Sequence, residues 1–295
     1  MSLTVVRTAE DWKAARQKLA GTLGFVPTMG ALHEGHLALA RAALENHDHA
    51  LVSLYVNPTQ FDNPEDLQKY PHNFGDDCRM LEEIGVEWVL APGYGDLYPD
   101  KYVYRVTETE DSAVLEGAHR PGHFDGVLTV VLKLLNLARA DAAYFGEKDF
   151  QQLKLVAGMA RALLHPTRIV ACPTVRESDG LAMSSRNRRL NTAQRELAGQ
   201  WARLLADRSL SCDEVKTRLE ARGFSVDYIE DRWGRRLGAV RVPTLEGGPE
   251  IRLIDNALSP PAPLSEQPAT QAKEGSFPPR PPRGTRDIAG EGARG

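Results

Sequence analysis

Cysteine is scarce. The chain has three among 295 residues, Cys78, Cys172 and Cys212, far apart and with no CxxC pair. That spacing excludes a disulfide framework and a CxxC-type zinc or redox motif, and it suits a reducing cytosol. Long apolar runs are missing too: nothing approaches the roughly twenty residues that cross a bilayer, so no membrane partner is expected. The opening MSLTVVRTAEDWKAARQKLAG carries acids early and lacks the apolar stretch of a signal peptide, which leads to an expected cytoplasmic location. Nor is positive charge in excess. The formal net charge of −4 excludes the basic surface of a dedicated nucleic-acid binder, so an anionic ligand has to be met by local cations.

What the chain does have is alternation. Strand-like apolar runs at Leu23 to Val26, Ala50 to Val56, Glu87 to Ala91, Ala142 to Phe145 and Arg168 to Cys172 are separated by helical patterns. Those patterns cover Ala9 to Leu19, Leu37 to Asn46, Gly75 to Glu83, Val127 to Ala138 and Phe150 to Leu164. Strands and helices in this order predict an α/β fold, a mostly parallel sheet with helices on both faces. Ligands of such sheets bind beyond the carboxyl ends of the strands. After Arg188 the pattern turns helix-rich (Thr192 to Asp207, Cys212 to Arg222), then shows short strand candidates at Ser225 to Glu230 and Glu250 to Ile254. The expected organisation is a catalytic domain over 1–187 and a small α+β domain over 188–258. A Pro/Gly-rich tail over 259–295 has too little apolar content to form a core.

The loop Pro27 to His36, PTMGALHEGH, follows the first of those strands and precedes a helix. A strand that breaks into a glycine-containing loop and re-enters as a helix aims backbone N–H groups and a positive helix end at one place, which suits phosphate. His33 and His36, three apart around Gly35, can both donate to phosphate oxygens from the first helical turn. The same residues also read as an ordinary capped helix start.

Other loops add chemistry, each with a plain structural alternative. Leu181 to Asn187, LAMSSRN, offers hydroxyls at Ser184 and Ser185 and the fixed fork of Arg186, or else forms a polar turn that caps a helix. Gly146 to Gln152, GEKDFQQ, places Lys148 as a compact cation for a moving phosphoryl charge, with Asp149 beside it and Gln152 able to bond a substrate hydroxyl; the acids also suit a solvated helix start. Gln60, in NPTQF, supplies both donor and acceptor for a hydroxy acid. Asp76 and Asp77 are candidates for hydrated Mg²⁺, although consecutive acids near a helix start are more often caps. His119 and His123, in LEGAHRPGHF, raise a transition-metal reading with His33 and His36, although Pro121 and Gly122 interrupt a helix that would align the pair. HEGH lacks the two-residue gap of HExxH, so the zinc-protease geometry is wrong.

In this order and at these spacings, VPTMGALHEGH, VNPTQFDNPEDLQKYP, LEGAHRPGHFDGV, YFGEKDFQQL, DGLAMSSRN and the later RLIDN (Arg252 to Asn256) resemble the pantothenate synthetase family. That family lies within the nucleotidylyltransferases, whose HxGH-type and KMSKS-like loops match His33 to His36 and Met183 to Arg186. The resemblance spans residues 1 to 258. It implies a Rossmann-like catalytic domain, a C-terminal lid domain and a homodimer. It also implies ATP-dependent condensation of (R)-pantoate with β-alanine through a pantoyl-adenylate, with Mg²⁺. Carried over, Met29, Gly30, Ala31, Leu32, His33, Glu34, Gly35 and His36 contact ATP, as do Gly146, Glu147, Lys148, Asp149, Val175, Met183, Ser184, Ser185 and Arg186. Gln60 and Gln152 hold pantoate, Gln60 also borders the β-alanine site, and His36 matches the position of the family's proton donor. The expected catalytic set is His33, His36 and Lys148. Against the family pattern, His72 stands where arginine is more usual, and strand material between Arg222 and Arg252 looks sparse, which shortens the expected lid. The alternatives are another nucleotidylyltransferase acting on a different small acid or phosphate, and a metal-dependent hydrolase.

Overall fold

The computed structural model of the chain describes residues 2–260 except 63, 69, 72, 246 and 247. His72 and the tail from residue 261 onward therefore lie outside the described residues. Residues Met1–Ser259 form one compact unit.

The first half alternates strand and helix as the apolar pattern requires. β1 (Thr4–Val6) leads into α1 (Ala9–Lys18), whose cap is the Thr8 hydroxyl accepting from the Asp11 amide. Next come β2 (Leu23–Thr28), α2 (Glu34–Asn46), β3 (His49–Leu54), the short α3 (Pro64–Gln68), α4 (Phe74–Glu83) and β4 (Trp88–Leu90). The one-turn α5 (Tyr94–Leu97) and α6 (Glu116–His119) precede α7 (His123–Ala138), β5 (Ala142–Gly146), α8 (Phe150–Ala162) and β6 (Arg168–Cys172). The strands form one parallel sheet in the order β1-β4-β3-β2-β5-β6. Strand order reverses between β2 and β5, so a crevice opens beyond their carboxyl ends.

Both faces of the sheet are covered. α1, α7 and α8 bury Trp12, Phe25, Leu128, Leu135 and Val156 on one side, while α2 and α4 bury Val26, Ala40, Val52, Leu81 and Val89 on the other. Coverage on both sides explains why β2 and β3 read as continuous apolar runs and not as alternating ones. α7 is apolar nearly all round and lies inside the core. Gly126 on α7 meets the turn Pro58–Gln60 so closely that an added Cβ would lie 2.3 Å from the Thr59 carbonyl oxygen. That approach places Gln60 at the mouth of the crevice.

The C-terminal part is antiparallel. α9 (Thr192–Ala206) and α10 (Cys212–Glu220) pack on the sheet β7-β8-β9, formed by Ser225–Arg232, Arg235–Val242 and Ile251–Leu258. Trp201, Leu205, Val215, Leu219, Val240 and Leu253 make its core. β7 matches the strand candidate at Ser225 to Glu230, whereas β8, which pairs with it as a hairpin, was not expected from the apolar pattern. Trp233 and Gly234 turn the hairpin with φ of 56° and 72°, the left-handed pair that suits a tight β-turn. The charged ends of β8 hid the strand from the apolar pattern. Arg236 is nonetheless buried, held by Asp231 at 3.1 Å and the Asp207 carbonyl at 3.0 Å.

Candidate active site

A cavity of about 540 Å³ opens at the switch point, within the usual size of a small-molecule site. Its wall beyond β2 is built before any ligand arrives. α2 begins at Glu34, three residues earlier than the apolar pattern suggested, because His33 is its N-cap. His33 Nδ1 accepts from the Gly35 amide at 3.2 Å, and His36 Nδ1 accepts from the His33 amide at 3.4 Å. A nitrogen that accepts carries no proton, so each neutral ring holds its hydrogen on Nε2. The rings lie with centroids 4.0 Å apart. Burial, then Lys148 and Arg188, lowers the His33 pKa to about 4; burial, then His33 and Lys148, lowers that of His36 to about 3. Both are neutral N–H donors at pH 7. Gly35 serves this arrangement more than ligand approach, since a Cβ there would sit 2.9 Å from His33 Cε1.

The backbone of the same loop is held from below. Gly30 and Ala31 take left-handed φ of 79° and 51°, and Asp77 on α4 accepts from the Ala31 and Leu32 amides, both at 2.8 Å. Burial pushes the Asp77 carboxyl up against the opposing pull of those two amides. Asp76 pairs with Arg79 at 2.8 Å on the surface. Neither aspartate lines the cavity, and both oxygens of Asp77 accept from backbone amides, so the structure does not bring these two expected metal ligands together with the cavity-facing residues. Of Met29 to His36, the residues facing the cavity are Met29, Ala31, His33, Gly35 and His36. Leu32 is buried in the core, Gly30 lies over Asp77, and Glu34 is exposed and pairs with Arg41, so these three do not line the cavity.

The wall beyond β5 and β6 is different. Gly146, Lys148, Asp149 and Gln152 line it, joined by Val175, Met183, Ser184, Ser185 and Arg186. Lys148 Nζ lies 3.4 Å from Asp149 Oδ1. Among the described residues, Arg186 has no ion-pair partner and the Gln152 amide has no hydrogen bond; burial, followed by Arg120, lowers the Arg186 pKa. Glu147 does not line the cavity and pairs with Arg235 at 2.7 Å. Ser184 caps its turn by accepting from the Arg186 amide at 3.3 Å.

At the mouth, Gln60 Oε1 accepts from Asn57 Nδ2 at 3.1 Å, and its Nε2 reaches the weakly accepting sulfur of Met29 at 3.1 Å. One amide hydrogen is left for a ligand. His123 Nδ1 donates to the Gln60 carbonyl at 2.8 Å and its Nε2 meets Arg120 at 3.3 Å, while His119 stacks on Tyr228. These two histidines are engaged separately, and no group of three or more His, Cys, Asp or Glu suited to a metal occurs among the described residues.

Sequence reasoning missed several groups. Arg188 and Arg189 line the cavity, and Tyr70, its pKa raised to about 12 by burial, closes one side. A buried cluster joins the halves: Glu116 accepts from Arg252 at 2.6 and 2.9 Å and from the Tyr228 hydroxyl at 2.9 Å. LEGAHRPGHF and RLIDN were each visible as motifs, but nothing in either shows that they meet.

A parallel sheet with neutral donors on one side of its switch point and cations on the other defines a nucleotide-binding α/β enzyme of the Rossmann-like class. The family model described as Pantoate-beta-alanine ligase matches residues 3–258. The chain is 49% identical over 252 residues to the pantothenate synthetase of Bdellovibrio bacteriovorus, covering 85% of this chain and 98% of that protein. It is 44% identical over 258 residues to that of Legionella pneumophila, covering 87% and 100%. A crystal structure of pantoate-beta-alanine ligase from Francisella tularensis, complexed with beta-gamma ATP and beta-alanine, superposes with a TM-score of 0.80 at 36% identity, covering 87% of this chain and 98% of that one. The chain belongs to the pantoate–β-alanine ligase family.

Proposed function

We propose that this enzyme activates pantoate with ATP and condenses it with β-alanine, releasing pyrophosphate and then AMP. The observation that carries the reading is the cavity itself: fixed imidazole N–H donors face a guanidinium with no ion-pair partner among the described residues, an ammonium and two hydroxyls across the space a triphosphate needs.

A pantoate carboxylate has a pKa near 4 and is ionised at neutral pH, so its attack on the α-phosphorus needs no base. As the new oxygen–phosphorus bond forms, the bond to the bridging oxygen of pyrophosphate breaks. Lys148, Arg186 and the serine hydroxyls stabilise the charge moving onto pyrophosphate, and His33 and His36 donate through Nε2. His36 stands at the position of the family's proton donor, and with burial favouring its neutral form in the nucleotide-free cavity the hydrogen it offers is the one on Nε2. Gln152 and Gln60 hold the nucleophile in line, and Gln60 also borders the amine. In the second step the β-alanine ammonium first gives up a proton, the free amine attacks the acyl carbon, the bond from that carbon to the AMP oxygen breaks as AMP leaves, and the nitrogen loses a second proton to solvent.

The residues fit Mg²⁺ carried on the nucleotide. Asp149, one of the carboxylates lining the cavity and the one beside Lys148, would accept a metal-bound water, as expected of an ion that binds mainly through phosphates. Bound there, Mg²⁺ neutralises phosphate charge.

Residues 188–258 act as the lid, a reading supported by Tyr228, Leu237, Ile254 and Asp255 lining the same cavity. The working form is a homodimer, supported by the resemblance and by the exposed Val103 and Tyr104; sedimentation at twice the chain mass is its check. Three free cysteines support a cytoplasmic location.

The deciding experiment incubates the protein with ATP, Mg²⁺ and pantoate and follows pyrophosphate, AMP and pantothenate with and without β-alanine. Pantothenate that requires all three substrates is expected. AMP formed regardless of β-alanine, with no pantothenate, would overturn the reading.

A further inference from the structure

RLIDN lies at the end of the described chain, and the mechanism above gives its asparagine no role. Asn256 on β9 is buried, and every polar atom of its side chain is engaged. Nδ2 donates to the carbonyl oxygens of Glu147 at 2.7 Å and Lys148 at 3.0 Å, across 109 and 108 residues of sequence. Oδ1 accepts from Arg235 Nη1 at 3.2 Å, and Arg235 Nη2 returns to Glu147 Oε2 at 2.7 Å. Asn256, Arg235 and Glu147 therefore close a ring around the short turn Glu147–Asp149 that carries Lys148. Phe150, the next residue, lies under the Arg235 guanidinium at 4.9 Å.

We infer that Asn256 is a positioning residue for Lys148: its carboxamide, carried on the C-terminal sheet, sets where the lysine ammonium stands in the cavity. A lysine stem is flexible, and its ammonium is placed only as well as the backbone beneath it. The turn beneath Lys148 is fixed by two hydrogen bonds from one planar amide. The chemistry demands an amide there. An aspartate of the same size has no N–H to give and would set a negative charge against two carbonyl oxygens.

The strand ties down the second cationic loop as well. Arg176 bonds Asp255 through both Nη atoms at 2.7 and 3.0 Å and the Asn256 carbonyl at 2.9 Å, just ahead of Ser184 and Arg186. Adjacent residues of β9 thus hold both loops that face the nucleotide.

The inference rests on the role proposed for Lys148, and a double-mutant cycle tests it apart from that proposal. Asn256→Asp and Asn256→Ala are each combined with Lys148→Ala. ATP affinity is measured by calorimetry without pantoate, and pyrophosphate release with pantoate. Folding of each variant is checked by circular dichroism and melting temperature. Asn256→Asp is expected to weaken ATP binding or slow pyrophosphate release about tenfold or more when Lys148 is present, and less than about threefold in the Lys148→Ala background, because coupled residues are non-additive. Equal losses in both backgrounds would make Asn256 a general scaffold residue and overturn the inference. Should both position-256 variants fail to fold, Arg235→Ala is read in the same cycle with the same criterion and a smaller expected effect. A wild type that binds ATP yet makes no pantothenate would remove the proposed function and leave the binding cycle to decide Asn256.

Discussion

The two walls of the cavity are built on opposite plans. Beyond β2, nearly every polar group is engaged within the protein: imidazole nitrogens cap their own helix, and Asp77 holds the loop backbone. Beyond β5 and β6, the ammonium of Lys148, the guanidinium of Arg186 and the amide of Gln152 face the cavity with few partners. The first wall is a rigid set of neutral donors, and the second is a set of charges awaiting an anion. Fixed neutral donors cost no reorganisation when charge develops, whereas cations facing the cavity supply the larger electrostatic stabilisation. Under the proposed function, the difference assigns orientation to the histidines and neutralisation to the opposite wall.

Removing the charge should have the largest effect. Lys148→Ala is expected to lower pyrophosphate release by about 10²–10³-fold, as for loss of a transition-state donor; a near-wild-type rate in single-turnover assays would erase the contrast between the walls. Gln152→Ala should cut kcat/KM for pantoate roughly tenfold through one lost hydrogen bond while leaving ATP affinity alone. Pantoate kinetics that do not change would remove Gln152 from the site.

On the rigid wall the effects should appear as stability. Asp77→Asn keeps one acceptor and turns an N–H toward the other backbone amide, at an expected cost of about 1–3 kcal/mol in urea unfolding. An unchanged midpoint would mean that the loop holds its shape without that carboxylate. The smallest effect expected is an absence of titration. In the nucleotide-free protein, histidine proton resonances of His33 and His36 should not move between pH 8 and 5, since their pKa values are lowered to about 4 and about 3. The sign follows: the unfolded chain takes up protons first, near the ordinary 6.5, so this pair's contribution to stability falls as pH drops from 6.5 toward 4. A midpoint near 6.5 for either ring would show that it is not held as a buried neutral donor.

Much of the fold was legible in the chain. β2, β3 and β5 announced themselves as apolar runs because a parallel sheet covered on both faces buries every side chain. The start of α2 was misplaced because a histidine is not an expected cap, and β8 was overlooked because Arg235, Arg236 and Arg241 break its apolar pattern. Of the site, the cavity-facing loops were legible as strand-following motifs. That Asp77 holds the backbone of a distant loop was not legible, because a pair of acids at a helix start looks the same whether it meets water, an ion or a distant backbone.

The sequence by itself determined the class of fold, the loops that follow each strand and the family to which the chain belongs, because periodicity and motif spacing are local. Only the tertiary structure decided which of those side chains face the cavity and which are bound up within the protein. Asp77 with the Ala31 amide, Glu116 with Arg252, and Asn256 with the Lys148 carbonyl are pairs separated by 46, 136 and 108 residues. Whether a polar group is free for a ligand depends on what packs against it in space, and no local pattern encodes that.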